Sequence, residues 1–187
     1  ADGGVNIPNT HFQELGSTES LASAFQGSGW SKAVLKPCIS GAARHTYVID
    51  SHNVREYDSL FQELISKEAM MLQEFQESVP LSGEITLVLI GGKYTHAVLK
   101  KAKPGDFRVQ DDFGGTVHNH TATKEEIAFA ELAMSQVSPI PVYGRVDIVR
   151  DNAGQLALQE LELIEPELWF RNHPEAATML AQVIRKL

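Results

Sequence analysis

The chain of 187 residues is long enough for one large hydrophobic core or two smaller subdomains. Its apolar content of 43% and charged content of 21% are ordinary for a globular protein, and its formal net charge of −8 argues against electrostatic binding of nucleic acid. No apolar run approaches the roughly 18 residues that span a bilayer, and no signal peptide opens the chain, so we expect no membrane association.

The single Cys38 rules out an internal disulfide and a multi-cysteine zinc site, which favours a reducing, cytoplasmic environment. The chain begins at Ala1 without a methionine, and its first ten residues show no helix or strand of useful length. We therefore expect a piece of a longer protein. The assembly is left open, with a homodimer as one option.

The first part of the chain predicts helices and short strands in alternation. The elements are a helix at 18–26 opened by Ser17 or Thr18, a strand at 32–36, a loop of small residues at 38–44, a strand at 45–49, a helix at 55–71 and an extended segment at 71–79. The spacing of Leu60, Phe61, Leu64 and Ile65 is helical.

The second part predicts an antiparallel sheet with two helices. The elements are a strand at 84–90, a Gly91-Gly92 turn, a strand at 94–99, a polar loop at 100–115, a helix from the Thr123–Glu126 capping box to about 137, a hairpin at 143–166 and a closing helix from Pro174. On that last helix Ala177, Leu180, Ala181 and Ile184 are predicted to share one face, and His118 and His120 are interpreted as part of a surface loop. The order predicts an α+β protein of two lobes that meet near residues 73–82.

The hairpin at 143–166 carries three acidic side chains at positions where an apolar face is expected, namely Asp147, Glu160 and Glu162. Strand alternation places Glu160 and Glu162 on the face of Leu156 and Leu158, and folding about 151–154 places Asp147 near Leu158 and diagonal to Glu160. Crowded carboxylates repel unless a cation lies between them, and Mg²⁺ with nucleotide phosphates is the best candidate. A solvated acidic face is the alternative.

Two basic features suggest phosphate binding. Lys36 ends a strand before a loop of small residues, so an ammonium and several backbone N–H groups can surround a polyphosphate. Lys100, Lys101, Lys103 and Arg108 form the densest positive run and border Gly114-Gly115. An ordinary strand end and a solvated loop are the respective alternatives.

The extended segment at 71–84 offers backbone groups for an adenine edge, and Glu74 or Glu84 offers acceptors for amino or hydroxyl groups. A linker that carries solvated acidic side chains is an equal alternative.

The order of these features resembles the ATP-grasp superfamily, in particular its glutathione-synthetase-like branch with the D-cycloserine-forming ligases. The resemblance runs from about Gly4 to the C-terminus. The motifs that carry it are Val34-Leu-Lys-Pro37, Gln73-Glu-Phe75 with Gly83-Glu84, Gly105-Asp-Phe-Arg108 through Gly114-Gly115, Asp147 with Glu160-Leu-Glu162, and Glu165-Pro166.

The resemblance implies two α+β lobes with a nucleotide site between them: a small lobe at 10–77 and a large lobe at 78–187 that carries the metal site, after a linker at 1–9 from a missing upstream domain. It implies that Lys36, with Ser40 and Gly41 in the lid loop, contacts phosphates of ATP, that Glu74 and Phe75 hold adenine, and that Glu84 binds the ribose. Lys100 and Arg108 would stabilise the transferred phosphoryl group and the acyl phosphate formed from it. Asp147, Glu160 and Glu162 would hold Mg²⁺.

The chain departs from the family pattern at three positions. Glu162 replaces the asparagine common at the metal hairpin, Thr86 stands where glutathione-type members often carry arginine, and Gln110 where they often carry asparagine. The last two argue against a glutathione-like substrate.

The expected function is that of an ADP-forming ligase that joins a small-molecule carboxylate, or a similar oxyanion, to an amine. A nucleotide-binding regulatory or pseudo-enzymatic domain is the alternative, and a metal-binding or interaction module is a third hypothesis.

Overall fold

The computed structural model describes residues 3–41, 43–103, 105–106, 108–109 and 114–186. These residues divide into two compact units, one formed by residues 8–75 and the other by residues 3–7 together with 76–186. None of the described helices combines the length and the apolar character needed to cross a bilayer.

The first unit is a four-stranded antiparallel sheet with two helices. Its elements are β1 (Thr10–Gln13), α1 (Leu21–Ser28), β2 (Lys32–Pro37), β3 (Tyr47–Asp50), α2 (Asp58–Ile65) and β4 (Met70–Glu74), with the strand order β1-β4-β2-β3. Strand β2 agrees with the prediction, whereas β1 was not predicted. The core joins Leu21 and Phe25 of α1 to Leu35 of β2 and Phe61 of α2.

Both helices of this unit differ from their sequence patterns: α1 begins later than predicted, with Ser20 and not Ser17 or Thr18 as its cap, and α2 is shorter. Helix α1 begins after Ser20, whose hydroxyl accepts from the Ser23 amide at 3.1 Å, and it ends at Gly29, whose φ of 72° suits glycine. Helix α2 ends at Ile65 and not near residue 71, because the next residues form β4, which pairs with both β1 and β2.

The second unit is a five-stranded antiparallel sheet in the order β7-β6-β5-β8-β9. Its elements are α3 (Ser78–Ser82), β5 (Glu84–Ile90), β6 (Lys93–Lys101), β7 (Thr116–His120), α4 (Lys124–Ser135), β8 (Tyr143–Arg150), β9 (Leu156–Glu162) and α5 (Pro174–Ile184). The two units thus confirm the α+β class. The predicted surface loop around His118 and His120 is wrong, because both lie on β7, which pairs with β6.

The two faces of this second sheet differ sharply. One face packs against α4 in a core that includes Leu87, Leu89, Val146 and Ile148, and the predicted capping box of Thr123 and Glu126 starts that helix. On the other face Val88 and Val98 meet Trp169 in a small apolar cluster. The same face also carries charged side chains.

The ends of this unit also differ from expectation. Val5 is buried in the α4-side core, and the Asn6 side-chain amide donates to Asp151 at 2.8 Å, so residues assigned to a linker pack on this sheet. On α5 the predicted apolar face is wrong. Ala176 is buried and Leu180 and Val183 are half-buried, whereas Ala177, Ala181 and Ile184 are exposed.

Candidate active site

Seven polar side chains gather on the sheet face opposite α4. They are Glu84 and Thr86 of β5, Lys100 of β6, Arg145 and Asp147 of β8, and Glu160 and Glu162 of β9. Residues two apart on a strand share a face, and the ladders place Glu84 beside Lys100, Thr86 beside Asp147, and Arg145 beside Glu162. We name this set the charged cluster.

A β-bulge brings the acidic side chains together. Asp147 pairs with Glu160 while Ile148 pairs with Leu158, so Gln159 is the extra residue on β9. The predicted register, with Asp147 diagonal to Glu160, is therefore wrong.

The bulge also reverses the predicted face. Leu158 packs in the α4-side core before the bulge and Leu161 packs there after it. Glu160 and Glu162 consequently lie on the opposite face, with Asp147, because the extra residue shifts the alternation by one position.

Buried ion pairs hold the cluster. Lys100 Nζ donates to Asp147 Oδ2 at 2.8 Å and also forms an ion pair with Glu84. Arg145 binds Asp147 in bidentate fashion, with Nε–Oδ1 at 3.0 Å and Nη2–Oδ2 at 2.7 Å, and also bonds Glu162. Asp147 is fully buried, so these two cations replace the water that its carboxylate loses.

The cluster contains four carboxylates and only two cations, and this imbalance shifts pKa values. Burial raises the pKa of Glu84 to about 7, although Lys100 opposes the shift. Burial alone would also raise the pKa of Asp147, but Lys100 and Arg145 outweigh it and hold that pKa at about 2. Burial raises the pKa of Glu162, despite Arg145. Glu84 and Glu162 therefore resist ionisation, which indicates a shortage of positive charge in the cluster.

Three of these carboxylates fit a divalent cation. Asp147, Glu160 and Glu162 each offer an oxygen, and these oxygens lie within 4.8 Å of one another. Glu160 and Glu162 are half-buried, so ligands from solution can still complete a coordination shell. Oxygen ligands of this kind suit Mg²⁺ held by a few carboxylates with phosphate oxygens completing the shell.

An aromatic side chain covers part of the cluster. The ring of Trp169 lies 5.1 Å from Arg145 Cζ and 5.9 Å from Lys100 Nζ. Both distances are within the range of cation–π attraction.

Lys36 and the predicted lid loop belong to the first unit. Lys36 is buried on β2, where it pairs in register with Met71. Ser40 and Gly41 are exposed, and the Ser40 hydroxyl donates to the Arg44 carbonyl at 3.1 Å. Residue 42 of the loop lies outside the described residues.

Glu74 and Phe75 lie at the end of β4. Their amides donate to the carbonyls of Asn9 at 2.8 Å and Lys32 at 3.1 Å, and Glu74 also accepts from the Asn9 side chain. Lys32 Nζ lies 3.7 Å from the centre of the Phe75 ring. Both backbone N–H groups are therefore already used within the first unit.

Arg108 lies apart in sequence from the strands of the cluster, and its guanidinium donates to Asp106 at 2.9 and 3.1 Å. Gln110 falls outside the described residues. Glu84 and Lys100, predicted to serve ribose and phosphate separately, form a buried ion pair with each other.

Sequence reasoning missed Arg145 and Trp169. Arg145 could have been found, since it lies two residues before Asp147 on the same strand and must share its face. Trp169 follows the hairpin in an irregular segment, and no periodicity indicates which face it covers.

The family model of the RimK-like ATP-grasp domain matches residues 30–163. The chain therefore belongs to the RimK-like ATP-grasp family, and the resemblance seen in the sequence is confirmed.

Two matches to the protein DcsG illustrate this membership. The cycloserine biosynthesis protein DcsG of Streptomyces lavendulae is 33% identical over 129 residues, which cover 62% of this chain and 41% of that protein. The crystal structure of D-cycloserine synthetase DcsG superposes with a TM-score of 0.83 at 25% identity, over 99% of this chain and 66% of that one.

Two further solved structures share the fold. The D-alanine–D-alanine ligase of Bacillus anthracis matches with a TM-score of 0.71 at 17% identity, over 98% of this chain and 62% of that one. The ATP-grasp ligase PsnB, solved with a precursor variant, Mg and ADP, matches with a TM-score of 0.66 at 15% identity, over 97% and 55% of the two chains. The chain thus spans less than two thirds of each relative.

Proposed function

We propose that this chain is the ATP-binding part of an ADP-forming ligase that joins a small-molecule carboxylate, or a similar oxyanion, to an amine. The observation that carries the proposal is the carboxylate set of Asp147, Glu160 and Glu162 within 4.8 Å in a RimK-like ATP-grasp chain. The relatives support it, since they are named as a synthetase and as ligases. The homodimer, the cytoplasmic location and the missing upstream domain remain predictions.

The three carboxylates would hold Mg²⁺. When bound there, this ion would neutralise negative charge on the phosphate oxygens of ATP. When all four carboxylates of the cluster are ionised, its negative charges exceed its positive charges by two, which one such ion would balance.

The proposed reaction has two steps. A carboxylate oxygen of the substrate attacks the γ-phosphorus and the bond to ADP breaks, which leaves an acyl phosphate. The amine nitrogen then attacks the acyl carbon, the carbon–oxygen bond to phosphate breaks, and the amine loses a proton. Lys100, Arg108 and Arg145 would meet the charge that develops on the phosphoryl oxygens.

The remaining predicted residues are proposed to bind nucleotide. Lys36 would contact phosphate oxygens with Ser40 and Gly41 of the loop, and Glu74 and Phe75 would contact adenine through acceptors and ring packing. Glu84 would contact the ribose, in addition to its ion pair with Lys100.

Binding is tested by the shift in melting temperature on adding ATP, with and without Mg²⁺. The variant Asp147→Asn plus Glu160→Gln should lose the Mg²⁺-dependent part of the shift, and Glu162→Gln should reduce it. The matched control, Glu125→Gln plus Glu175→Gln, removes two exposed carboxylates from helices and should keep it. An unchanged shift in the double variant of the cluster would refute the metal assignment.

Activity is tested by ADP release over a panel of carboxylates paired with amines. The rate should rise for a restricted set of pairs, and flat rates across a broad panel would contradict the ligase. Nothing in the structure or the relatives favours the alternative of a regulatory nucleotide-binding domain.

A further inference from the structure

Two buried polar atoms, one in the charged cluster and one in the aromatic side chain that covers it, have no hydrogen-bond partner among the described residues. They are the hydroxyl Oγ1 of Thr86, which is 0% exposed, and the indole Nε1 of Trp169, which is 4% exposed. A buried donor left without a partner loses the hydrogen bond that it makes to water in the unfolded chain, which lowers stability. Two such groups in one place therefore indicate that something else completes their hydrogen bonds.

The two residues share a neighbour, Val98 of β6. Thr86 pairs across the sheet with Asp147 on one side and Val98 on the other. Trp169 packs on Val88 and Val98 and lies beside the cations that bind Asp147.

The chemistry of the donors indicates the ligand. An indole N–H only donates, and a threonine hydroxyl can donate, so both can bind an acceptor oxygen. Arg145 uses Nε and Nη2 for carboxylates, and its Nη1 has no hydrogen bond to the described residues. Donors beside two cations suit a negatively charged oxygen.

The backbone of the segment that carries the indole is strained. Trp169 has a φ of 45° and Glu165 a φ of 46°, values that are strained for residues other than glycine. Such strain persists only where the surroundings enforce it.

Three hydrogen bonds hold the segment around Trp169 in this strained conformation. The Trp169 amide donates to Glu167 at 2.6 Å, the Leu168 carbonyl lies 2.9 Å from His96 Nε2, and the Asn172 side chain donates to Asn119 at 2.8 Å. The segment that carries Trp169 is therefore tied to β6 and β7, which fixes the indole.

We propose that Trp169 Nε1 and Thr86 Oγ1 donate hydrogen bonds to an oxyanion oxygen of a reactant, either a phosphoryl or a carboxylate oxygen. This inference rests on the proposed function, because it assigns these residues to the same site. Arg145 Nη1 supplies a third donor. Thr86 thereby provides a neutral donor directly across the sheet from Asp147.

The test follows the indole N–H signals of the ¹⁵N-tryptophan-labelled chain by NMR. The chain has two tryptophans, and Trp30→Phe assigns the Trp169 signal. Sodium phosphate and sodium acetate are added separately, with sodium chloride at matched ionic strength as the control. We expect phosphate or acetate, but not chloride, to move the Trp169 signal downfield in a saturable manner.

The Thr86 variants test the second donor. Thr86→Val keeps the shape but removes the hydroxyl, so it should weaken the anion affinity about tenfold, and Thr86→Ser should restore it. If neither anion shifts Trp169 more than chloride does, or if Thr86→Val leaves the affinity unchanged, ordered water satisfies these groups and the inference is wrong.

Nucleotide binding separates the two sources of the oxygen. If the oxygen is the γ-phosphoryl, Trp169→Phe should weaken Mg-AMPPNP about tenfold and leave Mg-ADP unchanged. If it is a substrate carboxylate, Trp169→Phe should leave the binding of both nucleotides unchanged. In that case Thr86→Val should weaken acetate binding at the Trp169 signal and should also leave both nucleotides unaffected.

The proposed function fails separately from this inference. A wild-type chain that binds phosphate or acetate at Trp169 but no Mg-nucleotide would refute the proposed function and support the oxyanion site. A chain that binds Mg-nucleotide while no anion shifts the Trp169 signal would refute only the oxyanion site.

Discussion

Lys100 and Asp147 are joined by a buried ion pair across two strands that are not neighbours, with Nζ 2.8 Å from Oδ2. Strand β5 lies between them and contributes Glu84 to the same ammonium. One lysine thus links three strands and partly neutralises two buried carboxylates.

Replacing Lys100 by methionine should destabilise the fold strongly, because Glu84 and Asp147 would lose their shared cation. We expect a loss of about 3–5 kcal/mol in the free energy of unfolding, measured by urea denaturation. The control is Lys93→Met, which breaks an exposed pair with Glu131 at 3.3 Å and should cost less than about 1 kcal/mol. Equal losses would contradict the network.

The raised pKa of Glu84 should make stability depend on pH. Its folded pKa of about 7 lies above the ordinary 4.5, so the folded state holds the proton more tightly. The stability from this proton is complete below pH 4.5 and is lost as the pH rises through 7, by at most about 3 kcal/mol.

Urea denaturation of the wild type and Glu84→Gln at pH 5 and pH 8 measures this effect. Glutamine cannot ionise, so the wild type should lose stability relative to Glu84→Gln over this range. A constant difference between the two would refute the assigned pKa.

Binding of a divalent cation should strengthen as the pH rises. Burial raises the pKa of Glu162, so this carboxylate must lose its proton before it can bind metal. We expect Mn²⁺, used as the probe in calorimetry, to bind more tightly at pH 7.5 than at pH 5.5, by at most about tenfold per pH unit for each proton released. Glu162→Gln should bind more weakly with a flatter pH dependence, and equal wild-type affinities at both pH values would contradict the prediction.

The bulge at Gln159 can be tested by deletion. Removing Gln159 leaves Leu158 followed directly by Glu160, which keeps both on their observed faces, so Mn²⁺ binding should persist. Removing Leu161 instead turns Glu162 toward the α4-side core, where an unpaired carboxylate should abolish folding. Circular dichroism and calorimetry measure both outcomes, and loss of the fold in the Gln159 deletion would show that the bulge itself is required.

The sequence by itself determined the local elements and the chemical inventory. The strand at 84–90, the capping box at Thr123 and the hairpin about 151–154 follow from short-range patterns, because each depends on neighbours within a few residues. The sequence also showed the acidic residues Asp147, Glu160 and Glu162 and the motifs of the family. Together they indicated the ATP-grasp fold.

Only the tertiary structure decided which side chains meet. The extra residue on β9, Gln159, determines the face on which Glu160 and Glu162 lie, and the pairing of β5 with both β6 and β8 brings Glu84, Lys100 and Asp147 together. Trp169 joins them from an irregular segment without a sequence signature. Strand register and cross-strand neighbours depend on contacts between residues distant in the chain, so no local pattern could supply them.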